Sequence, residues 1–440
     1  MIQQLERILQ TISDFVWGPP LLILLCGTHL FLTIRLRFIQ RFLGMAIKIS
    51  LKRKHEGEGD ISHFGALTTA LAATIGTGNI VGVSTAVALG GPGAVLWMWL
   101  TGVFGIATKY SEALLSIHYR IKNKKGEMSG GPMYVIEKGM KARWLGILFA
   151  IFTAIAAFGI GNMVQANSIA VLIKDTFGVS PWVSGIVLTI LTMLVILGGI
   201  KSIAKACEQM VPFMAIFYVI GCAIILIMNF RSIPHTISLI ISSAFSGQAA
   251  IAGFAGAGMR EAIRYGVARG LFSNESGLGS APIVAAAAKT ENVTRQALVS
   301  STGTFWDTVV VCAMTGLVVV NSGQWIRGLN GAALSKEAFA QIPYVGPIVL
   351  TVGLLIFVFS TIVGWSYYGE KAVEYLFGTK VIFAYRWLWI FAVMLGSVTT
   401  LTIVWTFADI ANAFMAVPNL VSLIVLNRVI VEHTNRYLWS

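Results

Sequence analysis

Apolar stretches long enough to cross a membrane alternate along this chain with short polar connections, most of them basic. A hydrocarbon core of about 30 Å takes about 20 apolar residues per helix. On that ruler the pattern predicts eleven spans, at 14–35, 65–90, 92–117, 145–173, 182–200, 210–229, 251–288, 297–320, 346–368, 384–404 and 407–427. Residues 232–250 are only moderately apolar and are expected along the outer surface. Residues 321–345, with Asn321, Gly323, Asn330, Gly331 and Pro343, read as a long external loop, and Glu56-Gly57-Glu58-Gly59-Asp60 as a solvated turn. Tyr367, Tyr368, Trp387 and Trp389, near helix ends, fit an aromatic belt at the membrane surface. No linker rich in Pro, Ser or charge divides the chain, so one folding unit is expected.

Two places interrupt this pattern. Thr74-Ile75-Gly76-Thr77-Gly78-Asn79-Ile80-Val81-Gly82 sets three glycines within seven residues, alternating with Thr and Asn oxygens. Each glycine costs a helix interior about 1 kcal/mol relative to alanine, so the second span is expected to unwind there. Inside a bilayer the freed N–H and C=O groups need partners, which makes the break a candidate binding site. The second interruption, Ser273-Asn274-Glu275-Ser276-Gly277-Leu278-Gly279-Ser280, lies 201 positions further on when Gly78 is matched with Gly279. Paired glycine breaks in corresponding positions point to an inverted-repeat transporter with a site at the membrane midplane. Small-residue helix packing is the competing reading of both.

The first break has definite chemistry. The half-helix opening at Thr77 and Gly78 presents N–H groups and about half a positive charge, which suits a carboxylate. The carbonyls of Ala72 and Ile75, ending the preceding half-helix, suit a small hard cation, and Ser360 and Thr361 in the ninth span can complete an oxygen shell. Gln165, with Asn162 in the fourth span, is an amide that needs a partner, either a ligand or a neighbouring helix. Trp365 is four residues beyond Thr361, on the same helix face, and can wall a small pocket.

Composition narrows the class. The chain is 440 residues, 56% hydrophobic and 12% charged, with a mean hydropathy of +0.78; soluble domains carry about 25% charged residues. A net charge of +13 would fit nucleic acid. The basic residues, however, gather between spans: Arg35, Arg37, Arg41, Lys48, Lys52, Arg53 and Lys54 in one connection, and Arg120, Lys122, Lys124, Lys125, Lys138, Lys141 and Arg143 in another. Such loops face the cytoplasm and anionic lipid. That alternation puts the amino terminus outside and the carboxyl terminus in the cytoplasm, with no nucleic-acid partner. Arg260, Arg264 and Arg269 then fall in the outer half of the seventh span, facing a water-filled vestibule or pairing with Glu261. A register ending that span near Gly258 would make them cytoplasmic instead. The first residues lack the basic start and cleavage site of a signal peptide, so the first helix is expected to stay.

Other chemistry is poorly represented. Cys26, Cys207, Cys222 and Cys312 lack CxxC spacing, and the six histidines form no ligand cluster. HExxH, GxSxG and P-loop patterns are absent, which argues against an enzyme or an ATP-driven pump. Asp307 and Asp409 lie in apolar spans, and Lys109 and Glu112 have the spacing of a helical ion pair. These charges keep a proton-coupled carrier in view, and glycine breaks alone also fit a channel.

Several segments together resemble the alanine or glycine:cation symporter family, the sodium:alanine symporters. They are Ala73 to Gly82, Gly90-Gly91-Pro92-Gly93-Ala94-Val95-Leu96-Trp97-Met98-Trp99, Gly130-Gly131-Pro132-Met133-Tyr134, Gly270 to Pro282, and Phe359 to Glu370. Leu96 stands where the family commonly has Phe, and Ser276 where it commonly has Ala. The resemblance implies an all-α polytopic membrane protein of about eleven transmembrane helices, with a five-plus-five inverted repeat like that of the bacterial leucine transporter, discontinuous helices and one extra amino-terminal helix. The corresponding division is an extra helix and basic loop at 1–60, a first repeat at 61–230, a second at 231–427 and a cytoplasmic tail at 428–440. It further implies Na⁺-driven uptake of small neutral amino acids, alanine or glycine, by alternating access in the cytoplasmic (inner) membrane, with no organic cofactor. Carried onto these residues, it implies substrate contacts at Thr77, Gly78, Asn79, Gln165, Phe272, Ser273, Asn274 and Trp365. The implied Na⁺ ligands are Ala72, Ile75, Ser360 and Thr361, with Thr74 and Asn79 toward a second Na⁺.

Overall fold

A computed structural model describes residues 2–51, 57–245, 258–399 and 402–439. Its helices, in chain order, begin with α1 (Ile2–Val16), α2 (Pro19–Arg35), α3 (Leu43–Ser50), α4 (His63–Thr74), α5 (Val83–Gly90) and α6 (Ala94–His118). A small hairpin, β1 (Ile121–Lys122) and β2 (Met128–Ser129), leads to α7 (Pro132–Gly139), α8 (Arg143–Ala156), α9 (Val164–Phe177), α10 (Pro181–Ile196), α11 (Gly199–Met228) and α12 (Ile233–Phe245). Then follow α13 (Met259–Asn274), α14 (Pro282–Ala285), α15 (Val293–Thr304), α16 (Ala313–Asn321), α17 (Gly331–Phe339), α18 (Val345–Phe377), α19 (Ile382–Val398), α20 (Thr402–Val425) and α21 (Asn427–Leu438). Wide π turns at Gly78–Gly82, Ala157–Met163 and Phe305–Cys312 join α4 to α5, α8 to α9 and α15 to α16.

Among the described residues, seven helices are long and apolar enough to cross a membrane, and eight if α4 and α5, bent by 55° at their break, make one span. The other three expected spans fall on α6, which carries Lys109 and Glu112, on the sixteen-residue α10, and on α13 with its following break. Residues 251–257 of the expected seventh span lie outside the described residues, and α13 itself is rich in arginine.

Two expectations need correction. The region expected as an external loop at 321–345 contains α17, because Ala332 to Ala338 are good helix formers and Leu334, Ala338 and Phe339 have a core to enter. Ser335 Oγ meets Ser84 Oγ at 2.8 Å, so this helix is seated on α5. Tyr367, Tyr368 and Trp389 are not a surface belt: they are at most 1% exposed, and only Trp387, at 45%, faces outward.

The two ends of the bundle differ. At the end carrying the basic loops, Asp60 N donates to Ala287 O and Lys289 N to Ile61 O, both at 2.8 Å. The Arg120 guanidinium fastens this seam through the carbonyls of Ala286 (3.0 Å), Ala288 (2.8 Å) and Glu58 (2.8 Å). Lys371 reaches Glu374 at 2.7 Å and Arg386 reaches Glu370 at 2.7 Å nearby. The opposite end holds a polar cavity of about 130 Å³ between α1, α13 and α20.

Candidate functional site

The first break is built from a short list of residues. Helix α4 starts at Ser62, whose hydroxyl accepts from Gly65 N at 2.8 Å, and ends at Thr74; Ile75 is extended, with φ −77° and ψ 101°. Gly76 is required by close approach, because a Cβ there would lie 2.6 Å from Thr361 Oγ1 on α18. The Asn79 side chain then folds back to close the gap, its Oδ1 accepting from Gly76 N at 2.9 Å. Thr77 and Gly78 open the next helical segment, where the leading N–H groups have no preceding turn to bond.

Around this break lies a narrow cavity of about 20 Å³, the scale of one water. Thr74, Thr77, Gly78, Gln165, Phe272, Thr361 and Trp365 all line it, as do Ile160, Glu275 and Asn412. Trp365 is 2% exposed and rests on Gly161, where a Cβ would come within 2.4 Å of it. Gln165 Nε2 donates at 3.0 Å to Ile160 O, in the π turn where helical bonding is displaced. Gln165 Oε1 and Asn412 Oδ1 are buried without a hydrogen-bond partner. Buried acceptors of this kind call for an explanation, and both belong to residues of the cavity wall.

A set of oxygens gathers beside the cavity. Ser360 Oγ lies 3.3 Å from Ala72 O, and Thr361 Oγ1 lies 3.3 Å from Ile75 O. Each hydroxyl is closer to Phe357 O, at 2.8 and 2.9 Å, so its one proton is best given there. Hydroxyl and carbonyl oxygens are thus left facing each other across 3.3 Å, an arrangement that a small cation between them relieves. These four residues fit a Na⁺ ion by donor type. Thr74 lines the cavity, while its own hydroxyl turns back to Leu71 O at 3.3 Å.

Asn79, Ser273 and Asn274, expected at the substrate, do not line the cavity. Asn79 Nδ2 donates to Asp307 Oδ1 at 2.7 Å, and Ser273 Oγ donates to Asp307 Oδ2 at 3.0 Å. Asn274 Nδ2 donates to Thr308 Oγ1 at 3.1 Å, and its Oδ1 accepts from Ser276 N at 2.9 Å. These side chains turn inward because breaks in two helices leave polar groups that an apolar interior cannot otherwise satisfy. Asp307, which the sequence marks only as an intramembrane acid, is the knot joining the two breaks.

The second break is also real, and it is closed on itself. Glu275, Gly277 and Gly279 take positive φ values of 55°, 93° and 85° between α13 and α14. The Lys109 ammonium caps the end of α13 by donating to Asn274 O at 2.7 Å. Glu112 Oε1 accepts from Gly277 N and Gly279 N, each at 3.0 Å, and from Asn419 Nδ2 at 2.6 Å. Lys109 and Glu112 therefore serve opposite ends of the break rather than pairing along their own helix. The first break brings Thr77 and Gly78 to the cavity, and Glu275 is the second break's contribution to it.

Known proteins share this architecture. A model of the "Sodium:alanine symporter family" matches residues 2–440. The sodium/alanine symporter AgcS of Methanococcus maripaludis is 52% identical over 441 residues, covering 98% of this chain and 96% of that one. The probable sodium/glutamine symporter GlnT of Bacillus subtilis is 34% identical over 437 residues, covering 98% and 90%. Among solved structures, MhsT in complex with L-phenylalanine superposes with a TM-score of 0.61 at 15% identity, covering 84% of this chain and 89% of that one. The last likeness shows the fold, that of the leucine-transporter class, and the family match shows a multi-pass membrane transporter rather than an enzyme. This chain belongs to the sodium:alanine symporter family.

Proposed function

We propose that the chain couples inward Na⁺ movement to uptake of the smallest neutral amino acids, alanine or glycine, by alternating access at the first break. In this reading the substrate carboxylate meets the N–H groups at Thr77 and Gly78, and its ammonium donates to the unpartnered Gln165 Oε1. Na⁺ sits between Ala72, Ile75, Ser360 and Thr361. The observation that carries the reading is the unpartnered Gln165 acceptor in a cavity that is also lined by the helix start at Thr77 and Gly78 and by Thr361 of the oxygen set. Trp365 and Phe272 close a cavity of about 20 Å³, so the site must widen to take any amino acid and the smallest side chains require the least widening. The names of AgcS and GlnT support sodium coupling and amino-acid cargo.

By the basic-loop rule, the seam fastened by Arg120 is cytoplasmic, and the end bearing α1 and the 130 Å³ cavity is external. Residues 61–230 and 231–427 form the two repeats that rock about the site. Asn79 and Thr74 serve the substrate-linked region through the shape of the break. A second reading, proton coupling, is favoured by one observation, the Glu275 carboxyl in the cavity wall. Uptake of labelled alanine into proteoliposomes separates the two: a Na⁺ gradient alone must drive accumulation, and accumulation driven equally by a pH gradient without Na⁺ overturns the sodium reading.

A further inference from the structure

The elbow after α2 gathers positive charge that the protein itself does not neutralise. The first candidate span ends at Arg35, and Arg35, Arg37 and Arg41 are all exposed there. Among the described residues no carboxylate forms an ion pair with any of the three. We propose that this elbow, together with Trp439 just beyond α21, is a binding site for the phosphate head group of an anionic phospholipid.

The arginines are arranged as well as concentrated. The Arg41 guanidinium lies 3.9 Å from the centre of the Trp439 ring and the Arg37 guanidinium 5.5 Å from the same ring, so two like charges converge on one indole. Phe42 joins them edge-on, its ring 5.3 Å from that of Trp439. Like charges brought this close repel unless an anion lies between them, and guanidinium forks match the oxygens of a phosphate. Stacking on the indole occupies the flat face of Arg41 and leaves its N–H edge to donate. The backbone here is also unusual: Arg37 and Phe38 take left-handed φ values of 52° and 59°, which lets Arg37 N reach Ile34 O at 3.0 Å and Phe38 N reach Thr33 O at 2.8 Å. Glycine is the residue such a helix end favours. A guanidinium and a ring stand there instead, and backbone strain of this kind gathers where ligands are held.

The ligand is a lipid because apolar surface lies beside the charges. Ile34 and Phe38, 68% and 58% exposed, flank Arg35 and Arg37 at the end of the span, so an acyl chain finds contacts there that a free anion cannot use. Tryptophan belongs at this depth, with its ring among head groups. The elbow is a fixed platform, since Leu36 and Ile39 are at most 2% exposed and hold it to the bundle. Arg35 Nε donates to Asn427 Oδ1 at 3.4 Å, at the start of α21. A head group held by Arg37, Arg41 and Trp439 therefore clips α2 to α21 at a second point.

The test titrates the purified full chain in detergent with phosphatidylglycerol and counts the bound lipids by native mass spectrometry. Arg37→Gln and Arg41→Gln are each expected to weaken the tightest-bound lipid about fivefold, and the two together about 25-fold. Trp439→Leu keeps all three charges and should still weaken it about threefold, through loss of the stacked platform. Lys124→Gln, which removes an exposed cation on the β1–β2 turn, should leave that lipid unchanged. Wild-type chain should hold phosphatidylglycerol about tenfold more tightly than phosphatidylcholine, a comparison that stands even where a variant fails to fold. Equal binding of the two lipids, or an equal loss in Lys124→Gln, overturns the proposal. Displacement of the lipid by millimolar inorganic phosphate also overturns it, by assigning the arginines to a free anion.

Discussion

The Asn79 carboxamide nitrogen lies 2.7 Å from Asp307 Oδ1, across 228 positions of sequence. Through that bond and the one from Gly76 N to Asn79 Oδ1, a single side chain fixes the shape of the first break and links it to the helix bearing Asp307. Asn79→Ala removes both contacts and strips the buried Gly76 N–H of its acceptor and Asp307 Oδ1 of its donor, while Oδ2 keeps Ser273 and Thr308, at about 1–3 kcal/mol for a neutral group and more for a charged one. Alanine uptake should fall about 100-fold or more and the melting temperature should drop, measured on protein matched for monodisperse yield.

Thr361 has a different signature. Thr361→Ala removes an oxygen from the proposed cation set but leaves Gly76 room, so the fold should hold. The Na⁺ concentration giving half-maximal uptake should rise about tenfold or more, and Thr361→Ser, which keeps the oxygen, should stay near wild type. A Na⁺ titration of uptake checks both.

Gln165→Leu deletes the acceptor assigned to the substrate ammonium together with the bond to Ile160 O. Substrate affinity should fall about tenfold or more, while Na⁺ alone still raises thermal stability. Binding of labelled alanine by scintillation proximity, paired with a Na⁺-dependent melting shift, reads the two effects separately.

Trp365→Phe should enlarge the pocket where the indole covers Gly161. Larger neutral amino acids should then compete with alanine uptake, with inhibition constants falling several-fold relative to wild type. Competition assays with leucine and methionine measure this.

Lys109→Met tests the closed second break. It strips the cap from Asn274 O and takes away the cation near the buried Glu112, which keeps its bonds to Gly277, Gly279 and Asn419. Breaking a buried charge arrangement in this way costs about 3–5 kcal/mol, so folded yield and melting temperature should fall sharply even at saturating Na⁺ and alanine.

Much of the first break is legible in the sequence because its signals are local. Three glycines with Thr and Asn between them announce unwinding, and the helix does bend by 55° between Thr74 and Gly78. The Ser360-Thr361 pair, read as completing an oxygen shell, does lie against Ala72 and Ile75. The second break is legible as an interruption but not as a closed one. Its partners, Lys109 and Glu112, come from about 165 positions away, and their spacing in α6 equally fits an ion pair along one helix. Asn412 escapes a reading of the sequence although an amide in an apolar span is the same kind of signal that singles out Gln165. The aromatic residues Tyr367, Tyr368 and Trp389 depart from expectation because proximity to a helix end says nothing about which face meets lipid. Helix count is the least legible quantity, since α6 and α13 carry charged residues within the bundle and α10 is apolar but only 16 residues long.

The central claim is that one site holds the zwitterion and Na⁺ together, so that each favours the other. Alanine affinity measured across a Na⁺ titration, with K⁺ as the replacement ion, tests it most directly. The account predicts affinity that rises with Na⁺ in the wild type and loses that dependence in Thr361→Ala; equal alanine binding in Na⁺ and K⁺ by the wild type would contradict it.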